Sequence, residues 1–397
     1  MHHVLDQGHT GGNDRSTLLG VCPMSEEIIT ATIRIAATEA LFPMFVATPR
    51  QVDGNRGYTG WSQRELVEFV DAVCEREGYD GEYLVARDHG GPYQSTRNRG
   101  DSDVPLEEAM GFAMETFRDD VEAGFDVLHV DATEDPRTEE PLDLDEIARR
   151  TVELIDEIEG FRNREGHPPI AYEVGTEEIA GGLTDPDSFG RFLDRLEGRL
   201  SPDVFDRTVF AVGQVGTTMR IDMENQFDPE KAAQLVERAD ERDIFLKVHF
   251  TDWLPTEQLE RFPELGVGAA NVGPEFAAAL VESLVELQER ERELLAGDDA
   301  TEPSGFTETL EAAAIRDAPW EKYAPEGVDR EQFGRENARN IALCVGRYVL
   351  GDPEVEAARE RLYENVARRS STDPNEVVVE GVSEAIARYA RAFSVEE

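Results

Sequence analysis

Eight short apolar runs, each followed by an amphipathic stretch, dominate the pattern of this chain between residues 17 and 296. The runs have the length of buried β-strands, and the stretches between them place apolar residues with the 3.6-residue period of an α-helix. Two parallel strands need a crossover connection of a dozen or more residues, which is usually a helix. The pattern therefore predicts parallel strands at 18–22, 43–48, 83–88, 127–131, 169–175, 207–214, 245–250 and 266–272.

Eight such units favour a closed (β/α)8 barrel, the TIM barrel, over an open, doubly wound sheet. An open sheet usually has a glycine-rich dinucleotide-binding turn after its first strand, and the sequence VCPMS at 21–25 is not such a turn. The barrel helices are predicted at 25–41, 62–77, 105–123, 144–161, 187–196, 228–242, 256–262 and 274–295.

The alternation stops near residue 297, where Gly, Asp, Ser and Pro cluster as they do in linkers. The chain beyond is helical in pattern, with helices predicted at 330–350, 353–368 and 375–393. It has too little apolar surface to be an independent enzyme, so we expect it to pack on the barrel or on a partner chain. We therefore predict a disordered tail at 1–16, the barrel at 17–296, and a linker with a C-terminal helical extension at 297–397.

The charge of the chain is strongly unbalanced, with 85 acidic residues against 39 basic ones and a formal net charge of -46. The acidic residues are spread along the predicted helices and do not form blocks, which indicates a solvated surface. At about 1 M salt the Debye length is only about 3 Å, so the mutual repulsion of such a surface is largely screened. The composition therefore predicts a protein of a high-salt cytoplasm.

Several partner classes are excluded by the same inventory. No basic stripe is present that could replace the counterions of a nucleic acid, and no apolar run approaches the roughly 18 residues that span a bilayer. The three cysteines, Cys22, Cys74 and Cys344, lack metal-type spacing, and an odd number indicates reduced thiols in the cytoplasm.

Residues capable of chemistry follow several of the predicted strands. Asp88 and His89 stand directly before a Gly-Gly-Pro turn, and Asp131, Glu173 and His249 end later strands. Active sites of parallel barrels are built at the carboxyl ends of their strands, so these side chains should converge. We predict a divalent metal ion, zinc or manganese, held by His89, Glu173 and His249, with Asp88 and Asp131 as candidate acid or base. The alternative is a set of unrelated buried polar residues, each satisfied locally.

Strand alternation refines these assignments. His129 shares the inward face of its strand with Asp131 but lies one layer deeper, so we interpret it as a supporting histidine and not as a ligand. Lys247 faces the same way as His249, and a Schiff-base lysine is conceivable there, although a neighbouring cation disfavours it.

Other polar residues near the strand ends are candidates for binding a substrate. Arg97 and Arg99 are suited to clamp a phosphate or carboxylate, with ordinary surface arginines as the alternative. The substrate-binding residues predicted in this way are Gln51, Arg97, Gln214, Asp252, Asn271 and Gly273.

The ordered set of motifs resembles the Z-type subunits of tagatose-bisphosphate aldolase. The resemblance runs from about residue 18 to 350 and includes ATPRQV at 47–52, GYTG at 57–60, DHGGP at 88–92, GFDVLHVDA at 124–132, VGTE at 174–177, HFTD at 249–252, NVGP at 271–274 and PWEKY at 319–323. This family resembles a branch of the metal-dependent class II aldolase barrels. Its members are described either as non-catalytic partners of an aldolase subunit or as enzymes that epimerise ketohexose phosphates or ketohexuronates at C4.

The sequence departs from the catalytic aldolases at two places. Gln214 and Val215 stand where a histidine is expected after the sixth strand, and Asp88 is preceded by Ala-Arg instead of Gly-Gly. The first departure argues against ordinary aldolase turnover but is compatible with an epimerase that uses Glu173 as its third ligand.

The resemblance implies a metal-dependent retro-aldol enzyme, a C4 epimerase or aldolase, acting on a ketohexose phosphate such as tagatose or fructose phosphate, or on a related keto sugar acid. The alternative is a non-catalytic stabilising subunit of a class II tagatose-bisphosphate aldolase, for which we expect an apolar patch on the C-terminal helices. Assembly with further copies or with a catalytic aldolase subunit is compatible with both. A kinase is disfavoured because no Walker-type phosphate loop is present.

Overall fold

The computed structural model describes residues 16–39, 41–176, 183–298 and 300–394. Within them, eight parallel strands pair in sequence order and close into a barrel, because β1 pairs with both β2 and β8. The predicted strands are thus confirmed, each within a few residues of its predicted bounds. The strands are β1 Leu18–Val21, β2 Met44–Ala47, β3 Leu84–Gly90, β4 Val127–Val130, β5 Ala171–Gly175, β6 Thr208–Val212, β7 Phe245–Val248 and β8 Ala269–Val272.

The helices of the barrel pack outside the strands and are close to their predicted positions. The predicted helix at 256–262 is divided into two short helices, and one further short helix precedes β6. These helices are α1 Glu26–Thr38, α2 Gln63–Glu77, α3 Leu106–Ala123, α4 Leu144–Glu165, α5 Pro186–Glu197, α6 Pro202–Phe205, α7 Pro229–Asp240, α8 Thr256–Leu259, α9 Arg261–Leu265 and α10 Pro274–Leu294.

Local sequence signals set the helix ends. At the start of α2, Ser62 accepts a hydrogen bond from the backbone N–H of Glu65, whose carboxylate accepts from the backbone N–H of Ser62 in return. This capping box satisfies two amide groups that the first helical turn leaves without partners. The helix ends at Gly78, which adopts φ 70°, a left-handed conformation that glycine adopts without steric cost.

Strand β3 carries an irregularity that matters for the site. Arg87 pairs with Leu128, but the next pairing joins Gly90 to Val130, so β3 has one residue more than β4 between these points. Such a bulge changes the alternation of side chains between the two faces of a strand. Asp88 and His89, which a regular strand would point in opposite directions, therefore both line the cavity at the end of the barrel.

The C-terminal extension packs on the barrel, as expected. The backbone N–H of Thr17, just before β1, donates to the carbonyl of Phe393 at 3.0 Å, and Arg388 forms a 2.5 Å ion pair with Glu275. The predicted linker is also fixed, since the Ser304 hydroxyl donates to Glu291 at 2.6 Å. The helices of the extension are α11 Phe306–Asp317, α12 Arg330–Glu336, α13 Ala338–Val345, α14 Pro353–Arg369 and α15 Pro374–Phe393, with 3-10 turns at Trp320–Tyr323 and Gly346–Tyr348.

Two expectations concern the rest of the chain. The tail predicted at 1–16 lies outside the described residues except for Ser16. None of the described helices combines the length and the apolar composition that a membrane span requires.

Candidate functional site

Four buried side chains from four strands converge at the carboxyl end of the barrel. Asp88 comes from β3, His129 from β4, Glu173 from β5, and His249 directly follows β7. Each offers one ligand-type atom, and these four atoms lie within 4.8 Å of one another. The cluster contains two of the three predicted metal ligands, Glu173 and His249.

Four of the six distances among these atoms are close to the distances between ligands of a divalent cation, and the other two are no longer than 4.8 Å. His129 Nδ1 lies 3.4 Å from Glu173 Oε1 and 3.5 Å from Asp88 Oδ1, and His249 Nε2 lies 3.2 Å and 3.5 Å from the same two oxygens. Ligands about 2.0–2.1 Å from a tetrahedral zinc ion are about 3.3–3.4 Å apart. Asp88 Oδ1 is buried and has no hydrogen-bond partner among the described residues. Coordination to a cation would compensate this oxygen for the missing hydrogen bond.

One hydrogen bond from outside this cluster would compete with a cation for His129 Nδ1. The backbone N–H of His89 donates to His129 Nδ1 at 3.2 Å. The other ring nitrogen of His129, Nε2, is buried and has no hydrogen-bond partner in the described part of the chain. The prediction that His129 is a locally satisfied supporting residue thus agrees with the hydrogen bond at Nδ1 and leaves Nε2 without a partner.

Lys247 stabilises the charge of Glu173 from the opposite side. Its Nζ donates to Glu173 Oε2 at 2.6 Å, and both side chains are fully buried. Burial alone would raise the pKa of Glu173, but the Lys247 ammonium, His129 and His249 outweigh it and hold the pKa at about 2. This ion pair makes Lys247 a counter-ion of Glu173, which does not favour its use as a free amine nucleophile.

His89 is paired with Asp131 beside the four-residue cluster. His89 Nδ1 lies 2.7 Å from Asp131 Oδ2, and Gln94 donates to the same oxygen at 2.9 Å. Asp131 Oδ1 accepts from the backbone N–H and the hydroxyl of Thr133 at 3.1 Å and 2.5 Å. Despite burial, the bonds and charges of His89, together with His129 and Thr133, lower the pKa of Asp131. Asp131 is thus an ionised carboxylate whose two oxygens are both engaged.

His89 has a strained backbone conformation. Its backbone adopts φ 48°, a conformation that costs energy in residues other than glycine and is concentrated at functional sites. Burial alone would lower the pKa of His89, but the charges of Asp88 and Asp131 raise it to about 9. The structure thus brings the five predicted catalytic and metal residues together, with Asp88 in the ligand cluster and His89 on Asp131.

A cavity of about 440 Å³ opens above this cluster, within the size range of small-molecule sites. Most of the predicted substrate-binding residues line it: Gln51, Gln214, Asp252, Asn271 and Gly273. The prediction for Arg97 requires correction, because Arg97 does not line the cavity and its guanidinium donates to Glu115 at 2.5 Å. Arg99 does line it and pairs with Glu134 at 3.0 Å.

Asn271 and Asp252 present contrasting polar groups to this cavity. The Asn271 side-chain amide is buried, and neither its nitrogen nor its oxygen has a partner among the described residues. Gly20 makes room for it, since a Cβ at Gly20 would lie 2.3 Å from Asn271 Oδ1. Asp252 Oδ1 accepts from the backbone N–H groups of Gly273 and Glu275 at 3.0 Å and 2.8 Å, at the start of α10. Burial is the main cause that raises the pKa of Asp252 to about 7.

The C-terminal extension also contributes to the cavity wall, which its helical sequence pattern did not predict. Lys322, Tyr323, Arg347 and Tyr348 line the cavity together with barrel residues. The available signal was the motif PWEKY at 319–323, which carries one of the chain's three lysines. Gln94, the second donor to Asp131, was also missed, although it lies in the loop after β3.

The fold and the site together define a (β/α)8 barrel protein with a buried cluster of histidine and carboxylate side chains in the cavity at its carboxyl end. The sequence profile described as D-tagatose-1,6-bisphosphate aldolase subunit GatZ/KbaZ-like matches residues 2–391. The chain therefore belongs to this GatZ/KbaZ-like family, which confirms the resemblance of its motifs.

Individual relatives agree with this assignment. D-tagatose 6-phosphate 4-epimerase from Agrobacterium fabrum is 29% identical over 289 residues, which are 68% of this chain and 66% of the relative, just under two thirds of its length. The crystal structure of a probable tagatose 6 phosphate kinase from Sinorhizobium meliloti 1021 has a TM-score of 0.77 and 22% identity, and the match covers 95% of this chain and 100% of that one. Fructose-bisphosphate aldolase from Campylobacter jejuni has a TM-score of 0.53 and 14% identity, covering 86% and 89%. The two structures confirm the barrel fold.

Proposed function

We propose that this protein is a metal-dependent retro-aldol enzyme that epimerises a ketohexose phosphate at C4. The observation that carries the proposal is the cluster of Asp88, His129, Glu173 and His249 at the base of a cavity of sugar-phosphate size. A curated relative at 29% identity is named D-tagatose 6-phosphate 4-epimerase, which supports tagatose 6-phosphate and fructose 6-phosphate as the first substrates to test.

A divalent cation, zinc or manganese, would be held by these four side chains. When bound, it would supply Lewis-acid stabilisation of the negative charge that develops on the substrate's C2 oxygen. This arrangement revises the sequence-based proposal, since Asp88 and His129 join Glu173 and His249 as ligands in place of His89.

His89 in its neutral form is the residue proposed to carry the proton. A cation held at Asp88 would offset the negative charge that raises the pKa of His89 to about 9, and so would favour this neutral form. When the C3–C4 bond breaks, its electron pair remains on C3 and delocalises to the C2 carbonyl, and the C4 hydroxyl becomes an aldehyde whose proton passes to His89. After the aldehyde has rotated, C3 attacks its other face and His89 returns the proton to the oxygen. Asp131 fixes the ring through Nδ1, so proton transfer takes place at Nε2.

Other residues of the cavity would position the substrate. The unpartnered amide of Asn271 offers a donor and an acceptor to a sugar hydroxyl. Gln214 holds its side-chain oxygen toward the backbone N–H of Gly216 at 2.8 Å, which fixes the orientation of its amide in the cavity wall.

Proton NMR of tagatose 6-phosphate with the purified protein and manganese or zinc in D2O tests the proposal. We expect fructose 6-phosphate with protium retained at C4, because the retro-aldol route never removes that hydrogen. Deuterium at C4 would indicate carbanion formation there instead, and accumulation of dihydroxyacetone and glyceraldehyde 3-phosphate would indicate an aldolase. Absence of any conversion with either metal would overturn the proposal.

The non-catalytic alternative is not favoured. It predicts an apolar patch on the C-terminal helices, but the exposed large apolar residues of the described chain are Leu183 and Phe250, and both lie before the extension. The family description as an aldolase subunit supports association with a second chain, which light scattering of the protein alone and with a catalytic aldolase subunit would test.

A further inference from the structure

Three cationic side chains face the outer part of the cavity without an acidic partner. Arg50 follows β2, and Lys322 and Arg347 belong to the C-terminal extension. Among the residues that the structure describes, no carboxylate oxygen lies within 4.0 Å of their charged nitrogens. In a chain with 85 acidic and 39 basic residues, three unpaired cations lining one cavity are an unusual concentration of positive charge.

Arg347 carries the strongest argument, because it is only 7% exposed. Its guanidinium donates to the carbonyl of Cys344, to the Tyr348 hydroxyl at 3.2 Å and to the sulfur of Met219 at 3.7 Å. None of these acceptors is a carboxylate, and only the Tyr348 hydroxyl, whose pKa is held at about 7, can carry part of a negative charge. A buried guanidinium without a carboxylate partner is costly, so this position indicates that an anion completes the site.

The positive potential is strong enough to act on neighbouring groups. The guanidinium carbons of Arg347 and Arg50 lie 4.4 Å and 4.8 Å from the centre of the Tyr348 ring. Burial alone would raise the pKa of Tyr348, but Arg347, Arg50 and Lys322 outweigh it and hold the pKa at about 7. The side chain of Lys322 is exposed but partly desolvated by the cavity wall, and this desolvation and the charges of Arg50, Arg99 and Arg347 lower its pKa. A dianionic ligand would relieve this repulsion.

We propose that Arg50, Lys322 and Arg347 form a phosphate subsite that the C-terminal extension completes over the barrel. This inference rests on the proposed function for its role in turnover. Cleavage of a ketohexose 6-phosphate between C3 and C4 places the phosphate on the aldehyde fragment, which must rotate without leaving. The subsite would hold this phosphate through ionic hydrogen bonds, with no covalent change at phosphorus, while the aldehyde end turns.

Binding of inorganic phosphate, measured by calorimetry at one fixed potassium chloride concentration, tests the subsite without turnover. We expect Arg347→Gln and Lys322→Gln to weaken binding about tenfold or more, in line with the loss of a charge-assisted hydrogen bond. Arg335→Gln is the matched control: it removes one positive charge from an exposed residue of the extension that pairs with Glu331 and does not line the cavity. Its affinity should stay within about twofold of the wild type.

Because Arg347 is buried, the Arg347→Gln protein could fail to fold, which thermal unfolding would show. Lys322 is exposed, so Lys322→Gln keeps the test valid in that case. Wild-type affinity in a folded Lys322→Gln protein and a folded Arg347→Gln protein would overturn the subsite. If Arg347→Gln is unfolded, wild-type affinity in Lys322→Gln and in Arg50→Gln would do the same.

The partition of products tests the role of the subsite in turnover. In the variants, a larger fraction of tagatose 6-phosphate should be released as glyceraldehyde 3-phosphate and dihydroxyacetone instead of being epimerised. An unchanged partition together with weakened phosphate binding would contradict retention of the fragment. If the wild type binds phosphate through these residues but converts no sugar phosphate, the proposed function fails while the subsite stands.

Discussion

The different roles proposed for His129 and His89 follow from the contacts of their ring nitrogens. His129 Nδ1 faces Glu173 and Asp88, whereas His89 Nδ1 contacts Asp131. Removal of a metal ligand should lower the metal content of the protein, whereas removal of the proton carrier should lower only the rate of turnover. The two histidines therefore have separable predicted effects.

We expect His129→Gln to reduce bound metal from about one equivalent to well below half, because one of the four proposed ligands is removed. His89→Gln should retain the metal while kcat falls by about 10²–10⁴-fold, the usual contribution of a positioned acid or base. Metal analysis after dialysis and the NMR assay measure the two quantities. Loss of metal from His89→Gln with full retention in His129→Gln would restore the sequence-based ligand set of His89, Glu173 and His249.

Asp252 gives the stability of the protein a defined dependence on pH. Its pKa is about 7 in the folded state against a reference value of 3.8, mainly because it is buried. Between these values the folded protein retains a proton that the unfolded chain releases. The stabilising contribution of Asp252 is therefore complete below about pH 4 and is lost as the pH rises through 7.

The substitution Asp252→Asn keeps a side-chain oxygen that can accept the backbone hydrogen bonds at the start of α10, but it removes the ionisable carboxyl group. We expect the free energy of unfolding of the wild type, relative to Asp252→Asn, to fall by about 2–4 kcal/mol between pH 4 and pH 8, since one pKa unit corresponds to about 1.4 kcal/mol. Denaturant unfolding of both proteins at constant ionic strength measures this difference. A difference that is flat over this range would show that Asp252 is ionised in the fold throughout.

At the scale of secondary structure, the strand pattern predicted most of the site. Alternation placed His129 with Asp131, and Lys247 with His249, on the inward side of the barrel. In the structure, His129, Lys247 and His249 contact Glu173, and Asp131 contacts His89. The rule could not decide between Asp88 and His89, because the bulge in β3 depends on its pairing with β4. A bulge of this kind has no local sequence code as strong as the periodicity of a strand.

The turn after this bulge has a strict steric requirement at Gly91. A Cβ there would lie 1.7 Å from the backbone oxygen of Asp131, which directly follows β4, and backbone atoms next to a barrel strand cannot yield cheaply. We expect Gly91→Ala to destabilise the fold by at least about 1–3 kcal/mol and to lower kcat by displacing Asp131 from His89. Thermal unfolding and the epimerase assay measure these effects.

Gly111 provides the control for this substitution. It lies within α3, and a Cβ there would meet no atom within 4 Å. Gly111→Ala should therefore stabilise the protein by about 1 kcal/mol and leave turnover unchanged, because alanine is a better helix former than glycine. Equal behaviour of the two alanine variants would mean that the turn after β3 adjusts freely.

At the scale of the whole molecule, the C-terminal extension joins distant parts of the sequence in one cavity. Its helices were predicted from their periodicity, but the contribution of Lys322 and Arg347 to the barrel mouth was not, because it depends on how the extension docks. Docking is set by long-range contacts, such as the ion pair between Arg388 and Glu275, that leave no periodic pattern in the sequence. Local sequence patterns therefore predict helices and strands well. They predict how these elements are placed relative to one another only where the topology, as in the closed barrel, restricts that placement.

The net charge of -46 acts on the molecule as a whole, and we propose that it adapts the protein to a high-salt cytoplasm. Glu356 and Glu360 are exposed on α14, four residues apart, and form no ion pair among the described residues. Like charges at this spacing repel each other by about 0.2–0.5 kcal/mol in dilute buffer. The double variant Glu356→Gln/Glu360→Gln should therefore be more stable than the wild type at low potassium chloride.

At about 1 M salt the Debye length of about 3 Å is shorter than the separation of these side chains, so the advantage of the double variant should disappear. The wild type should gain stability over the same salt range, and most of the gain should come below about 1 M because screening saturates there. Urea unfolding across a potassium chloride series measures both curves, and sucrose at matched osmolality controls for general exclusion of solute from the protein surface. An advantage of the double variant that is equal at every salt concentration would show that repulsion between surface carboxylates is not what salt relieves.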